Sequence, residues 1–164
     1  MRTDKKYKNA LCKYDYDKKD PLTGKVTKGI SFKIQEKVVL GQPFRCKIGF
    51  NRIGETFYLD MELYYVGNIR EIIQKNDIFT FKLSNGEVIT INSQSDFLPV
   101  AQAAPNGVYT MYNAKYDIDA VSLRKIVEFS PTFFRINLES RVYDKELDSK
   151  TKNNFTNAAK CILQ

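Results

Sequence analysis

The longest run of strict alternation in the chain lies between residues 44 and 66. Phe44, Cys46, Ile48 and Phe50 alternate with Arg45, Lys47 and Gly49, and Phe57, Leu59, Met61, Leu63 and Tyr65 alternate with Tyr58, Asp60, Glu62 and Tyr64. A period of two over this length puts one side of each strand in a core and the other in water. Residues 51–56 join the two runs as a hairpin loop. With Phe50 set opposite Phe57, Ile48 meets Leu59, Cys46 meets Met61 and Phe44 meets Leu63 on the inner side. Outside, Lys47 then meets Asp60 and Arg45 meets Glu62. Apolar pairs and opposite charges agree in one register, which is therefore the expected one.

The remaining pattern supplies further strands and two helices. Residues 10–16 and 30–40 read as strands around a turn-rich loop at 17–24, where Pro21 and Gly24 punctuate the chain. Residues 78–83 and 88–91 flank Asn85-Gly86, a strong signal for a two-residue type I′ hairpin turn. That turn sets Phe79, Phe81 and Leu83 on one face and Ile89 and Ile91 on the other. Either a bulge shifts this pairing or both faces are covered. Residues 93–107 hold two Pro and a Gly and read as a long connection, followed by a strand at 108–118. Asp119 can N-cap a short helix over 120–129 with Leu123, Ile126 and Val127 on one side, and Ser130-Pro131 stops it. Phe134, Ile136, Leu138 and Val142 alternate along a last strand. A final helix begins near 146 or 149 and ends near 163, with a stripe of Leu147, Thr151, Phe155, Ala158, Ala159 and Ile162.

These elements predict one α+β domain over residues 10–164. It is a mostly antiparallel sheet, a sandwich or partly open barrel, with a short helix near 120–129 and a C-terminal helix. Residues 1–9 precede it as a flexible basic arm. A chain of 164 residues suits one such domain, and 11 Phe with 10 Tyr and no Trp favours strands.

Charge adds one feature. Residues 1–28 hold nine Lys/Arg against four Asp, so they carry +5 of the net +7. Such an arm can meet phosphate or acidic surfaces, or simply keep the chain soluble. No stretch reaches the roughly 18 apolar residues of a membrane span, and Met1 leads into a polar segment rather than an export signal. The expectation is a mature exported or periplasmic domain, or a cytoplasmic one if Met1 is the native start.

The chain has no histidine, which excludes Ser/His and Cys/His nucleophile pairs and Cys/His zinc sites. No recognisable catalytic motif remains, and no cofactor is expected. Asp60 and Glu62 share a strand face and could act as an acid/base pair on a glycan, but the expected register gives each a cation partner. Asp15, Asp17 and Asp20 are candidate metal ligands. As a calcium loop starting at Asp15 they fail, because Lys19, Asp20 and Val26 stand where an oxygen ligand, Gly and Glu are needed. Arg45, Lys47, Tyr58 and Tyr64 lie on the wet face and form a candidate ligand surface on which bases could stack. Cys12 and Cys161 stand at the two ends of the fold. A bridge would tie them together, two separate half-buried thiols is the other reading, and the sequence leaves both open. Cys46 points inward as a core thiol.

Two end segments carry a resemblance. Cys12-Lys-Tyr-Asp-Tyr-Asp-Lys-Lys-Asp20-Pro-Leu-Thr-Gly24-Lys at one end, and Tyr116-Asp-Ile118, Phe134-Arg-Ile136 and Ala158-Ala-Lys-Cys161-Ile-Leu at the other, resemble a family of small, functionally uncharacterised, often exported bacterial β-rich domains. In the middle only the Asp77-Ile-Phe and Leu83-Ser-Asn-Gly86 hairpin matches, so the likeness covers about half the chain. It implies an exported domain without an assigned activity and carries over no catalytic residues. The expected function is a non-enzymatic binding or structural module for a protein or polymer surface, at or outside the bacterial envelope. Three other readings stand beside it: a nucleic-acid-binding domain using the basic arm and exposed tyrosines, a glycan-acting hydrolase through Asp60 and Glu62, and a component of a phage or other multi-subunit assembly.

Overall fold

The computed structural model describes residues 12–34 and 37–164; the basic arm and the start of the predicted first strand lie outside them. In chain order the elements are β1 (Tyr16–Lys19), β2 (Val26–Ile34), β3 (Arg45–Ile53), β4 (Thr56–Val66), β5 (Ile78–Leu83), β6 (Val88–Ser93), β7 (Val100–Ala104), β8 (Gly107–Ile118), α1 (Ala120–Glu128), β9 (Pro131–Leu138), β10 (Arg141–Glu146) and α2 (Ser149–Leu163). The strands form one antiparallel sheet in the order β1-β2-β3-β4-β8-β6-β5-β9-β10, with β7 paired to β8 beside this path. The sheet does not close into a barrel, and the class is α+β.

The β3–β4 hairpin keeps its predicted faces but not its predicted register. Phe50 pairs with Leu59, Ile48 with Met61 and Cys46 with Leu63; outside, Lys47 faces Glu62 and Gly49 faces Asp60. Ile53 and Thr56 close the strands around Gly54 and Glu55, with Gly54 at φ +62. A glycine at the first central position is what a two-residue type II′ turn needs. This turn is shorter than the expected loop over 51–56, so every pair moves by two residues. A shift of two preserves the side each residue faces, which is why Cys46, Ile48 and Phe50 are still buried. Phe44 falls outside the strand, and its ring lies 6.0 Å from Tyr64 rather than against Leu63.

Turn chemistry also resolves the β5–β6 hairpin. The Leu83 N–H donates to the Glu87 carbonyl, the Gly86 N–H donates to the Leu83 carbonyl, and Gly86 sits at φ +86. This is a three-residue loop ending on a left-handed glycine, not the expected type I′ turn. The extra residue brings Ile91 opposite Phe79 and Ile89 opposite Phe81, so all four are buried on one face.

Other boundaries differ as well. The first strand begins at Tyr16, and residues 12–15 are not strand. The second strand starts four residues early, at Val26, and none of residues 37–40 is strand. Within the expected long connection at 93–107, Val100–Ala104 pairs with β8. The expected last strand is two, β9 and β10, which turn at Glu139 and Ser140 with Leu138 opposite Arg141. That turn sends Val142 out to solvent and puts Tyr143 in the core.

α1 and α2 each start on an aspartate cap. Asp119 Oδ1 accepts from the Ser122 N–H and Asp148 Oδ1 accepts from the Thr151 N–H, each at 2.7 Å. The predicted stripe of α2 is the buried one: Thr151, Phe155, Ala158, Ala159 and Ile162, with Leu147 just before it. Phe155 is the hub. Its ring lies 4.8 Å from Phe32 on β2, 6.2 Å from Phe50 on β3, 5.5 Å from Phe81 on β5 and 6.3 Å from Phe134 on β9. Those strands stand near opposite ends of the strand order, so the sheet curls around the helix. The other face of β2, β3, β4 and the adjoining part of β8 turns away from the core. None of the helices described is long and apolar enough to cross a membrane.

Candidate functional site

The outward side chains of this face stand in rows set by the register. One row runs Tyr16, Gly29, Asn51, Tyr58 and Asp117 across β1, β2, β3, β4 and β8. The next runs Ser31, Gly49, Asp60 and Lys115, and the third Lys33, Lys47, Glu62 and Asn113. Glycine at 29 and 49 removes two side chains from the middle of these rows. The result is a polar hollow of about 470 Å³, with Gly49 in its floor and Asp15, Tyr16, Asn51, Asp60 and Glu62 around it.

The hollow is held by a continuous hydrogen-bond chain. The Tyr16 hydroxyl donates to Asn51 Oδ1, and Asn51 Nδ2 donates to Asp60 Oδ2. Asn51 is buried, so its amide is satisfied by side chains rather than bulk water. On the rim, Ser31 Oγ donates to Asp15 Oδ2 at 2.5 Å. Neither glycine accepts a side chain freely: a Cβ on Gly29 would overlap the Tyr16 ring and Asn51 Oδ1, while one on Gly49 would press on Ser31 and the Ile30 carbonyl.

Electrostatically the hollow is an acidic place on a basic protein. Among the described residues, Asp15, Asp60 and Glu62 line it against one cation, Lys47. Enclosure raises the Asp60 carboxyl above its ordinary range, Glu62 adds to the rise, and Lys115 and the Asn51 amide oppose it. Lys115 reaches Asp60 only at 3.9 Å and also lies 5.3 Å from the Tyr58 ring centroid. The expected partners for these carboxylates are therefore corrected. Asp60 is served by Asn51 and Lys115 rather than Lys47, and Glu62 faces Lys47 rather than Arg45.

The other predicted residues fall in different places. Arg45, Lys47, Tyr58 and Tyr64 do share the outward face, but only Lys47 lines the hollow. The Arg45 guanidinium lies 5.2 Å from the Tyr64 ring centroid, and Phe44 and Tyr109 flank the same ring. Tyr64 is thus largely engaged within the chain. Asp15, Asp17 and Asp20 go to separate partners. Asp15 binds Ser31, Asp17 pairs in the ladder with Lys28, and Asp20 Oδ1 accepts from the Leu22 and Thr23 amides at 2.8 and 2.7 Å. Those amides hold the Asp20 carboxyl below its usual range. Cys12 and Cys161 form a disulfide with Cα atoms 5.5 Å apart, and Cys46 is a buried thiol outside that bridge. Beside the bridge the Tyr14 hydroxyl donates to the Cys161 carbonyl at 2.8 Å.

Sequence reasoning missed Tyr16, Ser31, Gly49, Asn51 and Asn113 as parts of one site. Each comes from a different strand or row, so only the correct register gathers them. The available signal was Gly54-Glu55, which fixes the hairpin and places Gly49 opposite Asp60. Comparison of the chain with protein-family models, with curated proteins and with solved structures gives no match.

Proposed function

We propose that this chain is a non-enzymatic binding module whose ligand surface is the polar hollow on the outer face of β1–β4 and β8. One observation carries the reading: side chains from separate strands converge on a glycine-floored concavity, on the sheet face turned away from the helix-packed core. Glu62 and Asn113 offer an acceptor and an amide there, and Lys47 adds a donor. Such a mixed lining suits the hydroxyl and amide groups of a carbohydrate or peptide polymer better than an apolar small molecule.

Two of the other readings fit this hollow less well. Three carboxylates repel a phosphate backbone, which a nucleic-acid surface must attract. Both Asp60 oxygens already face partners, Asn51 and Lys115, so a glycosidic oxygen must displace one of them to take its proton, although enclosure favours the protonated form. The Cys12–Cys161 bridge supports work in an oxidising compartment, in keeping with the resemblance to exported bacterial domains. The test is co-sedimentation of the protein with an insoluble bacterial cell-wall preparation, with a single-stranded oligonucleotide as the second probe. Retention on the wall polymer that falls at least tenfold in the Glu62→Ala/Asn113→Ala variant supports the reading. Binding that follows only the oligonucleotide and disappears with salt, or release of soluble sugars from the wall, overturns it.

A further inference from the structure

An open sheet leaves edges, and the edges here are not alike. β1 carries Asp17, Lys18 and Lys19, and β10 carries Arg141, Asp144, Lys145 and Glu146. Charges of this kind discourage strand addition. β7 is Val100-Ala-Gln-Ala-Ala104, with no charge and no proline within it. It pairs with β8 on one side, and no backbone hydrogen bond to its other side occurs among the described residues.

The direction of its free groups follows from the ladder. Gly67 donates its N–H to the Val108 carbonyl, so the backbone groups of Val108 point toward β4. Orientation alternates along a strand, so Gly107, Tyr109 and Met111 point toward β7 and bond Ala104, Gln102 and Val100. The N–H and C=O groups of Ala101 and Ala103 therefore face away from the sheet. Both residues are exposed, and Leu98 at 70%, Val100 at 49% and Val108 at 43% add apolar surface around them.

We propose that β7 pairs antiparallel with β7 of a second copy of this chain, about a two-fold axis at Gln102. Ala101 then bonds the partner's Ala103 and Ala103 the partner's Ala101, which satisfies every outward backbone group of both alanines. No charge meets a like charge, and the same patch serves both copies, as a two-fold interface requires. The axis stands perpendicular to the sheet, so both outer faces share one side. On the binding reading above, the two hollows open in the same direction and can engage one repeating polymer with a gain in avidity. The pairing itself does not depend on that reading.

The test uses the whole chain. Sedimentation from about 1 μM to about 1 mM, a range suited to a small interface, should show a reversible monomer–dimer equilibrium. At the axis the two Gln102 Cα atoms form a non-hydrogen-bonded pair about 4.5 Å apart, which a disulfide can span. The Gln102→Cys variant should therefore cross-link to a dimer under mild oxidation, and Asn85→Cys, exposed on the β5–β6 loop, should not. Ala103→Pro removes an outward N–H without touching the β8 ladder, and Gln102→Lys sets like charges face to face. Each should lower self-association at least tenfold, with the Lys variant recovering as salt is added. A chain that stays monomeric throughout the range overturns the proposal. So does a dimer that persists undiminished in both variants, or one that cross-links equally through position 85.

Discussion

Tyr16 lies over Gly29, its partner across β1 and β2, and its hydroxyl reaches past the glycine to Asn51 on β3. The three residues stand in one row, and the middle one must lack a side chain for the outer two to meet. Asn51 then passes the connection to Asp60 on β4. An absent Cβ on β2 thus sets the position of a carboxylate two strands away.

Gly29→Ala should break this chain at its first link. The added methyl overlaps the ring of Tyr16 and the Asn51 oxygen, and both are side-chain atoms that can swing away. The backbone should therefore hold while the Tyr16–Asn51 bond is lost. Leaving the buried Asn51 oxygen without its donor costs roughly 1–3 kcal/mol. Tyr16→Phe removes the same donor without the clash, so it should show most of that loss. Urea unfolding of the two variants measures it, and equal stability of Tyr16→Phe and wild type would refute the link.

How much of this was legible from the residues depends on how local each signal is. The α2 stripe around Phe155 repeats every three to four residues within one segment, and the residues it predicts as inward are the buried ones down to Ile162. The inward faces of β3 and β4 were legible for the same reason. Their register was not, because it turns on Gly54, one residue whose backbone conformation decides the alignment of two strands. β7 gave no signal at all. Val-Ala-Gln-Ala-Ala is not buried on either face, so nothing selects an alternating pattern there. The hollow is the most hidden feature, since Gly29 and Gly49 acquire meaning only through what faces them on neighbouring strands.

Reduction of the Cys12–Cys161 bond should destabilise the fold without rearranging its core. The bridge closes a loop with a sequence separation of 149 residues. In the chain-entropy account a loop of this size is worth about 5 kcal/mol, an upper figure where strain or residual structure intervenes. Cys46 is buried and should stay unreactive in the native state. Unfolding with and without a reductant gives the difference, and thiol counting on the folded protein separates the two kinds of cysteine. A midpoint that reductant leaves unchanged would show that the bridge does not contribute.

Phe155→Ala should be the most damaging single truncation in α2. Its ring meets aromatic rings on β2, β3, β5 and β9, so its removal opens a cavity where the curled sheet meets the helix. Losses of roughly 3–5 kcal/mol are typical for such a site. Phe155→Leu keeps much of the volume and should cost less than half as much. Near-ultraviolet circular dichroism, which reports aromatic packing, should change in both variants. Thermal unfolding supplies the order, and an Ala variant as stable as the Leu variant would mean that the helix is not the centre of the packing.

The Asp60 carboxyl makes a prediction whose sign is set by pH. Enclosure raises its folded-state pKa above the ordinary value of about 3.8. A carboxyl that holds its proton more tightly when folded favours folding below that value, and the contribution is lost as pH rises through the folded-state pKa. At neutral pH the ionised group is therefore a net cost to the fold. Asp60→Asn removes the charge and keeps an oxygen for Asn51 Nδ2, so it should be more stable than wild type near neutrality and indistinguishable from it near pH 3. The side chain is 39% exposed, which limits the gain to under about 1 kcal/mol. Paired unfolding curves at several pH values measure it. An advantage that grows as pH falls would reverse the sign and mean that Lys115 and Asn51 outweigh burial. Should the advantage instead grow with pH while the variant loses polymer binding, Asp60 is kept for recognition at the expense of stability.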